Sequence, residues 1–294
     1  MISVNDAFRK FRSNLELTQG EQDDASRRQQ EIRDVMAEAF DIQDDFLSGS
    51  YKRFTKTKPL KDVDIFCVLA DSEREKYRNK KHPSVLLNRV KEILEAQYGR
   101  ENVHKQRRSV TVEFPVRGDE DRVMSFDVVP AFTKGDHYEI PDEATSSGWT
   151  ETNPKIHAEK ATAANSEFNG EWKGMVRMIK AWNNEKGKPV KPSFLLEVMA
   201  LDLLRPPFEG NFPYEFMHLF ASAGDRIQQE WPEPARLGPP VSDSMTDSEK
   251  ASAQKALKDA GYVIRQAINT ERGGNTGEAL RIYRGLFGPR FPLS

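Results

Sequence analysis

The 294-residue chain, 37% hydrophobic and 10% aromatic, carries enough apolar material for a packed core, which excludes a disordered chain and suits one large unit or two lobes. With 44 Lys and Arg against 46 Asp and Glu, the net charge of −2 advertises neither nucleic acid nor a membrane surface as a partner. A single cysteine, Cys67, excludes an intrachain disulfide, and no apolar run approaches the ~18 residues of a membrane span. The start, MISVNDAFRKFRSN, has charges where a secretion signal would be apolar, so a soluble cytoplasmic protein is expected.

Thr18 and Glu21 have the spacing of a capping box, and Ile32, Val35, Met36, Ala39 and Phe40 recur behind them at helical intervals. A long helix is expected to lead directly into SGSYKRFTKTKPLKDVDIF, residues 48–66. Gly49 and Ser50 there precede five basic residues, and DVDIFCVLA reads as a buried strand. SVLLNRVKEILEAQYG predicts another helix, with Leu86, Val90, Ile93 and Leu94 inward and Gly99 as its stop. SVTVEFPV and RVMSFDVVPAF predict a hairpin about the turn RGDED.

From about residue 157 the pattern turns helical. NSEFNGEWKGMVRMIKAWNNEKG places Phe168, Trp172, Met175, Val176 and Ile179 on one face, and PSFLLEVMALDLL and PYEFMHLFASAGDRIQQ follow as helices. After the Pro-rich connector WPEPARLGPPVSDSM, Thr246 and Glu249 open a helix running to about Thr270. The expected organisation is an α/β lobe, residues 1–156, and a helical lobe, residues 157–294, with substrate in a cleft between them.

Residues two apart on a strand share a face, so Asp62 and Asp64 project together while Val63, Ile65 and Cys67 point away. Adjacent like charges repel unless a cation sits between them, and hard oxygen ligands suit Mg²⁺ or Mn²⁺. Asp127, flanked by Phe126, Val128 and Val129, is a third acid in an apolar strand, where a buried charge needs a counterion or a metal. Three such carboxylates on neighbouring strands could hold two divalent ions for an in-line phosphoryl displacement. Glu113, Asp119, Glu120 and Asp121 are rival third ligands; Asp127 is preferred. Taken singly, each acid could equally be a turn residue or half of an ion pair. Gly49 lets backbone approach an anion, and Ser50 adds a hydroxyl donor. Lys173, Arg177 and Lys180 form a basic stripe, making Lys180 a triphosphate contact or part of a solvated face, and Ser193 has the position of a helix N-cap. Trp149, Trp172, Trp182 and Trp231 could stack nucleobases, although Trp172 fits the apolar stripe. The histidines show no metal-ligand spacing, and there is no Walker-type loop.

Gly-Ser, a spacer, Asp-x-Asp and a later strand Asp resemble the polymerase-β-type nucleotidyltransferase superfamily. More narrowly, GSYKRFTKTKPLKDVDIF and FDVVPAF resemble the bacterial cGAS/DncV-like nucleotidyltransferases. GWTETNPKIH, MVRMIKAWN with PSFLLEVMA, and LFGPRFP extend the likeness over nearly the whole chain. The resemblance implies an α+β fold, a polymerase-β-like core of mixed sheet and helices followed by a helical lobe. It implies Asp62, Asp64 and Asp127 as catalytic ligands of two Mg²⁺ or Mn²⁺ ions, with Asp127 also activating the acceptor hydroxyl. Gly49, Ser50, Lys180 and Ser193 would contact nucleotide. The activity implied is synthesis of a cyclic di- or trinucleotide signal from ATP, GTP, CTP or UTP in CBASS-type anti-phage defence, with pyrophosphate released. A linear oligonucleotide synthetase, or an enzyme that nucleotidylates tRNA or another macromolecule, is the alternative. Regulation by a protein partner stays open, and activation by nucleic acid is not indicated. One departure stands out: Phe54 occupies a position where many relatives carry glycine or a small residue.

Overall fold

The computed structural model describes residues 2–79, 82–116 and 119–294. Helices α1 (Val4–Asn14) and α2 (Gln19–Ala39) come first, then strand β1 (Ile42–Ser48), the one-turn helix α3 (Gly49–Lys52) and β2 (Asp62–Leu69). Helices α4 (Asp71–Tyr77) and α5 (Ser84–Tyr98) precede strands β3 (Val103–Lys105), β4 (Val110–Val116), β5 (Asp119–Lys134), β6 (His137–Pro141) and β7 (Trp149–Thr152). The remainder is helical: α6 (Pro154–Glu167), α7 (Trp172–Glu185), α8 (Phe194–Leu203), α9 (Phe212–Arg226), α10 (Asp247–Arg272) and α11 (Thr276–Phe287). Two compact units result. The sheet unit is Leu17–Phe54 with Lys58–Ala158; the helical unit takes the residues up to Glu16, Thr55–Thr57 and Glu159–Ser294.

In the sheet unit the strand order is β1-β2-β5-β4-β3, with β6 pairing β5 and β7 pairing β6. Only β2 and β5 run parallel among these pairs, so the sheet is mixed. Alternation along β2 does what its sequence predicts: Val63, Ile65, Cys67 and Leu69 enter one core with Leu86, Leu87, Val90 and Leu94 of α5 and Ile32 and Met36 of α2. Each such large aliphatic side chain contributes roughly 1.5–3 kcal/mol on burial. Phe66 and Val68 face the other way, packing with Val129, Ala131, Tyr138 and Ile140. That second face is the one on which Asp62 and Asp64 stand. Cys67 is buried as a small hydrophobe, and burial pushes its thiol up to about 12.

Both halves of the Thr18–Glu21 capping box form, opening α2. The helix does not lead straight into Gly49, however, because β1 intervenes. Its sequence, IQDDFLS, hides a strand behind two acids. At the end of the sheet order such residues are tolerated, and Asp45 pairs with Arg33 while Asp44 lies 3.3 Å from Lys155. The predicted β4–β5 hairpin is antiparallel, with Arg117 and Gly118 outside the described residues. Asp119, Glu120 and Asp121, expected in the turn, lie in the backbone of β5, and their side chains are outside the described set.

The helical unit packs around α1. Phe8 meets Phe212, Phe216, Tyr283, Phe287 and Phe291, with ring centroids 5.0–5.7 Å apart. Phe168 joins this core but not the α7 face, because Asn169 and Gly170 (φ 52° and 82°) break the chain before Trp172. Thr246 and Glu249 cap α10 as expected. All four tryptophans are buried, Trp149 in the sheet unit and the others in the helical unit, so stacking of nucleobases on them is not available. Among the described residues no helix is long and apolar enough to cross a membrane.

Candidate active site

Strand register assembles the site. Ser48 on β1 is opposite Asp64 on β2, Asp64 is opposite Asp127 on β5, and Asp127 is opposite Thr111 on β4. Four positions thus form one row across four strands, on one face of the sheet. One step along lies a second row, Asp62, Ser125 and Glu113. A parallel pair of strands is about 4.8 Å apart, so two directly opposed aspartates repel unless a cation or proton is shared between them.

Neighbours fix the carboxylates in place. Thr111 Oγ1 donates to Asp127 Oδ1 at 2.5 Å. Ser125 Oγ lies 3.1 Å from Asp62 Oδ1 and 2.7 Å from the Lys61 carbonyl. Gly49 abuts Asp64: its φ is +65°, and a Cβ built on it would fall 1.6 Å from Asp64 Oδ2. Ser48 is the register partner of Asp64, so the next residue along, Gly49, turns over that carboxylate and α3 begins there. Glu113 lines a cavity of about 500 Å³ with Asp62 and Asp127, on the same face rather than toward the opposite core. Its Oε2 is 3.7 Å from His104 Nε2.

The basic segment after Ser50 is less solvated than its composition suggests. Lys52 and Lys61 are exposed, Lys56 and Lys58 are half-buried, and Arg53 is buried. Phe54 holds a left-handed backbone, φ +59°, with its side chain exposed. That conformation is readily adopted by glycine and strained for an aromatic residue. Tyr51 packs partly against the sheet core.

Lys180 and Ser193 belong to the helical unit. The stripe of Lys173, Arg177 and Lys180 is not a solvated face. Arg177 is buried 2.7 Å from Glu16, and burial lowers its guanidinium below the usual range. Lys180 Nζ is buried 2.5 Å from Glu197 Oε1 and donates to the Thr55 carbonyl at 3.3 Å. Thr55 Oγ1 in turn donates to Glu197 Oε2 at 2.9 Å. Ser193 occupies the N-cap position of α8, is exposed, and makes no side-chain capping bond. Sequence reasoning missed Glu197, Thr111 and Ser125. For Thr111 a signal existed, the alternation that puts it on the face of Glu113; for Glu197 the signal was an acid inside an apolar helix, where a buried charge needs a partner.

Carboxylate oxygens from Asp62, Asp64 and Asp127 are the hard donor set that Mg²⁺ or Mn²⁺ prefers. Among the described residues no three His, Cys, Asp or Glu side chains already stand together as an ion cage. The fit rests instead on the opposed Asp64–Asp127 pair and on Asp62 one step away on the same face.

The Second Messenger Oligonucleotide or Dinucleotide Synthetase family matches residues 2–165, more than half of the chain, and the chain belongs to that family. It is 28% identical over 276 residues to a Bacillus cereus protein named as a probable cyclic nucleotide synthase, covering 83% of this chain and 81% of that one. Against the cyclic AMP-AMP-AMP synthase of an Acinetobacter species it is 27% identical over 268 residues, covering 85% and 73%. Among solved structures, E. coli MS115-1 CdnC in complex with HORMA-deltaN matches at a TM-score of 0.73 and 18% identity over 98% of both chains. Vibrio cholerae DncV with a linear intermediate matches at 0.68 and 13% identity, over 85% of this chain and 69% of that one. The fold is the polymerase-β-like fold of the bacterial cGAS/DncV-like enzymes, and the chain is a nucleotidyltransferase of that group.

Proposed function

We propose that this enzyme joins nucleoside triphosphates into a cyclic di- or trinucleotide second messenger, releasing pyrophosphate, as part of CBASS-type anti-phage defence in the cytoplasm. The observation that carries the reading is the row Ser48–Asp64–Asp127–Thr111 with Gly49 closed against Asp64. Asp62, Asp64 and Asp127 would hold two Mg²⁺ or Mn²⁺ ions, which when bound neutralise phosphate charge and activate the attacking hydroxyl. Gly49 and Ser50 grip the donor triphosphate, Gly49 through backbone approach and Ser50 through its hydroxyl. Asp127, held in place by the bond from Thr111, would activate the acceptor hydroxyl. The sheet unit, expected within residues 1–156, carries the catalytic groups. Lys180 and Ser193, from residues 157–294, enter as nucleotide contacts, Lys180 in concert with Thr55. ATP is the first substrate to try, with GTP, CTP and UTP alongside it, since structures of relatives hold ATP, GTP and analogues. A protein activator belongs to the same reading, because the CdnC relative was captured with a HORMA partner.

The test incubates the purified chain with labelled ATP, GTP, CTP and UTP and Mg²⁺ or Mn²⁺, treats the products with phosphatase, and identifies resistant species by mass spectrometry. A cyclic product that disappears in Asp62→Asn/Asp64→Asn is expected. Products that are all linear and phosphatase-sensitive, or activity that survives loss of both acids, overturn the reading.

A further inference from the structure

The cavity bordered by Asp62 and Asp127 has another wall. It is formed by Gln106, Arg107, Arg108 and Ser109, the connection from β3 to β4, and the open space of about 500 Å³ has room for a ligand of nucleotide size. Among the described residues its lining takes in Asp62 and Asp127 but not Gly49, Ser50 or Asp64. The acids therefore have two sides. Asp64 faces the Gly-Ser turn, and the cavity lies beside Asp62 and Asp127.

What the cavity would bind follows from its arginines. Two adjacent guanidiniums repel, yet both converge on one carboxylate, Asp142, whose side chain is fully buried. Arg107 gives Nε to Asp142 Oδ1 and Nη2 to Oδ2, the latter at 2.8 Å. Arg108 places Nε 2.8 Å and Nη2 2.7 Å from Oδ2, and the Ala144 N–H donates to Oδ1 at 3.1 Å. Backbone bonds hold Asp142 itself, its N–H to the Gly148 carbonyl at 2.8 Å and its carbonyl to the Thr145 N–H at 3.2 Å. Burial pushes the Asp142 carboxyl up, but the bonds from Arg107 and Arg108 outweigh it and hold the group below its usual range.

One carboxylate against two guanidiniums leaves this wall of the cavity with a net positive charge, facing the acids Asp62, Glu113 and Asp127 of the other wall, and the arginine side chains remain 52% and 42% exposed. Each guanidinium has five N–H donors, of which Arg107 commits two to Asp142. A mere staple for the β3–β4 connection would need one arginine; Lys105, 2.9 Å from Glu143, already ties the same segments together. Rigid guanidinium forks with donors to spare are the side chains best suited to phosphate oxygens.

We propose that Arg107 and Arg108 form a phosphate clamp for the nucleotide whose hydroxyl attacks, and that Asp142 is the positioning residue that holds the clamp open. The proposal rests on the nucleotidyltransferase reading of Asp62, Asp64 and Asp127. It assigns the two nucleotides to opposite sides of the acids, the donor's triphosphate at Gly49 and Ser50 and the acceptor's phosphates at Arg107 and Arg108.

The test is binding of inorganic tripolyphosphate to the whole chain in EDTA, by calorimetry, where no metal ion can bridge the anion to Asp62, Asp64 or Asp127. Unmodified protein is expected to bind. Arg107→Gln and Arg108→Gln should each weaken binding about tenfold, the loss of a charge-assisted bond, while Ser50→Ala weakens it less. Arg107→Lys and Arg108→Lys, which keep the charge, should fall between, and they report on the clamp should a Gln variant fold poorly. Asp142→Asn should raise KM for nucleotide several-fold with kcat little changed, a split that simple destabilisation does not produce. Asp62→Asn/Asp64→Asn should lose turnover yet still bind tripolyphosphate, which separates failure of the clamp from failure of the enzymatic reading. No binding by the unmodified chain, or unchanged binding in the Gln variants, overturns the clamp.

Discussion

Gly49 is a glycine for two independent reasons. Its φ of +65° lies where an L side chain is strained, and a Cβ there would overlap Asp64 Oδ2 at 1.6 Å. Gly49→Ala must therefore displace a carboxylate at the centre of the row. A shift on the order of 1 Å at reacting groups can lower turnover about 100-fold. Product formation by Gly49→Ala should fall to that degree, with the thermal melt showing a folded protein; turnover close to that of the unmodified enzyme would separate Gly49 from the acids. At this scale the sequence was highly informative, because an acid in an apolar strand has few explanations and a period of two assigns its face. What Thr111 and Glu197 pair with was not legible. Their partners, Asp127 and Thr55, are brought to them by strand pairing and by tertiary packing across 142 residues of chain.

At the scale of elements, strands β6 and β7 are tied to the rest of the sheet unit by buried carboxylates. Arg78, just past α4, donates Nε and Nη2 to Glu139 at 2.7 and 2.9 Å, and the bond holds the Glu139 carboxyl below its usual range. Asp142 is held down likewise. A carboxyl depressed in the folded state contributes stability that is complete above its unfolded value, near pH 4, and is lost as pH falls through the folded value. Stability of the unmodified protein should therefore decline on acidification below about pH 5. Arg78→Gln should lower it by on the order of 2–3 kcal/mol at neutral pH and make the decline shallower, as read by urea unfolding across pH. An equal acid slope in the variant would show that Arg74 and Lys134, 3.8 and 3.9 Å from Glu139, suffice as its counterions. Strand β1 shows where patterning misleads: two adjacent acids break the alternation, and a strand at the end of a sheet tolerates them.

Over the whole molecule, the apolar periods of α2, α5, β2, β4, β5 and α8–α10 gave away the two kinds of unit. What the periods could not convey was which distant elements share a core. Helix α1 carries Phe8 into five aromatic rings of α9, α11 and the segment at Phe291, a cluster joining the two ends of the chain. Phe8→Ala should lower stability by about 3–5 kcal/mol, measured by denaturant unfolding, and a loss under 1 kcal/mol would show that the cluster closes over the gap.

Cys67 gives the chain one further property. The sole thiol lies in β2 between the acid-bearing end and the strand's exit, wholly buried and with its ionisation suppressed to about 12. The thiolate is the reactive form, so a thiol reagent reaches Cys67 only when the core that α2 and α5 close over β2 opens. The strand that carries Asp62 and Asp64 thus has its own built-in clock, and the rate at which that one sulfur is labelled counts how often the core behind that strand opens.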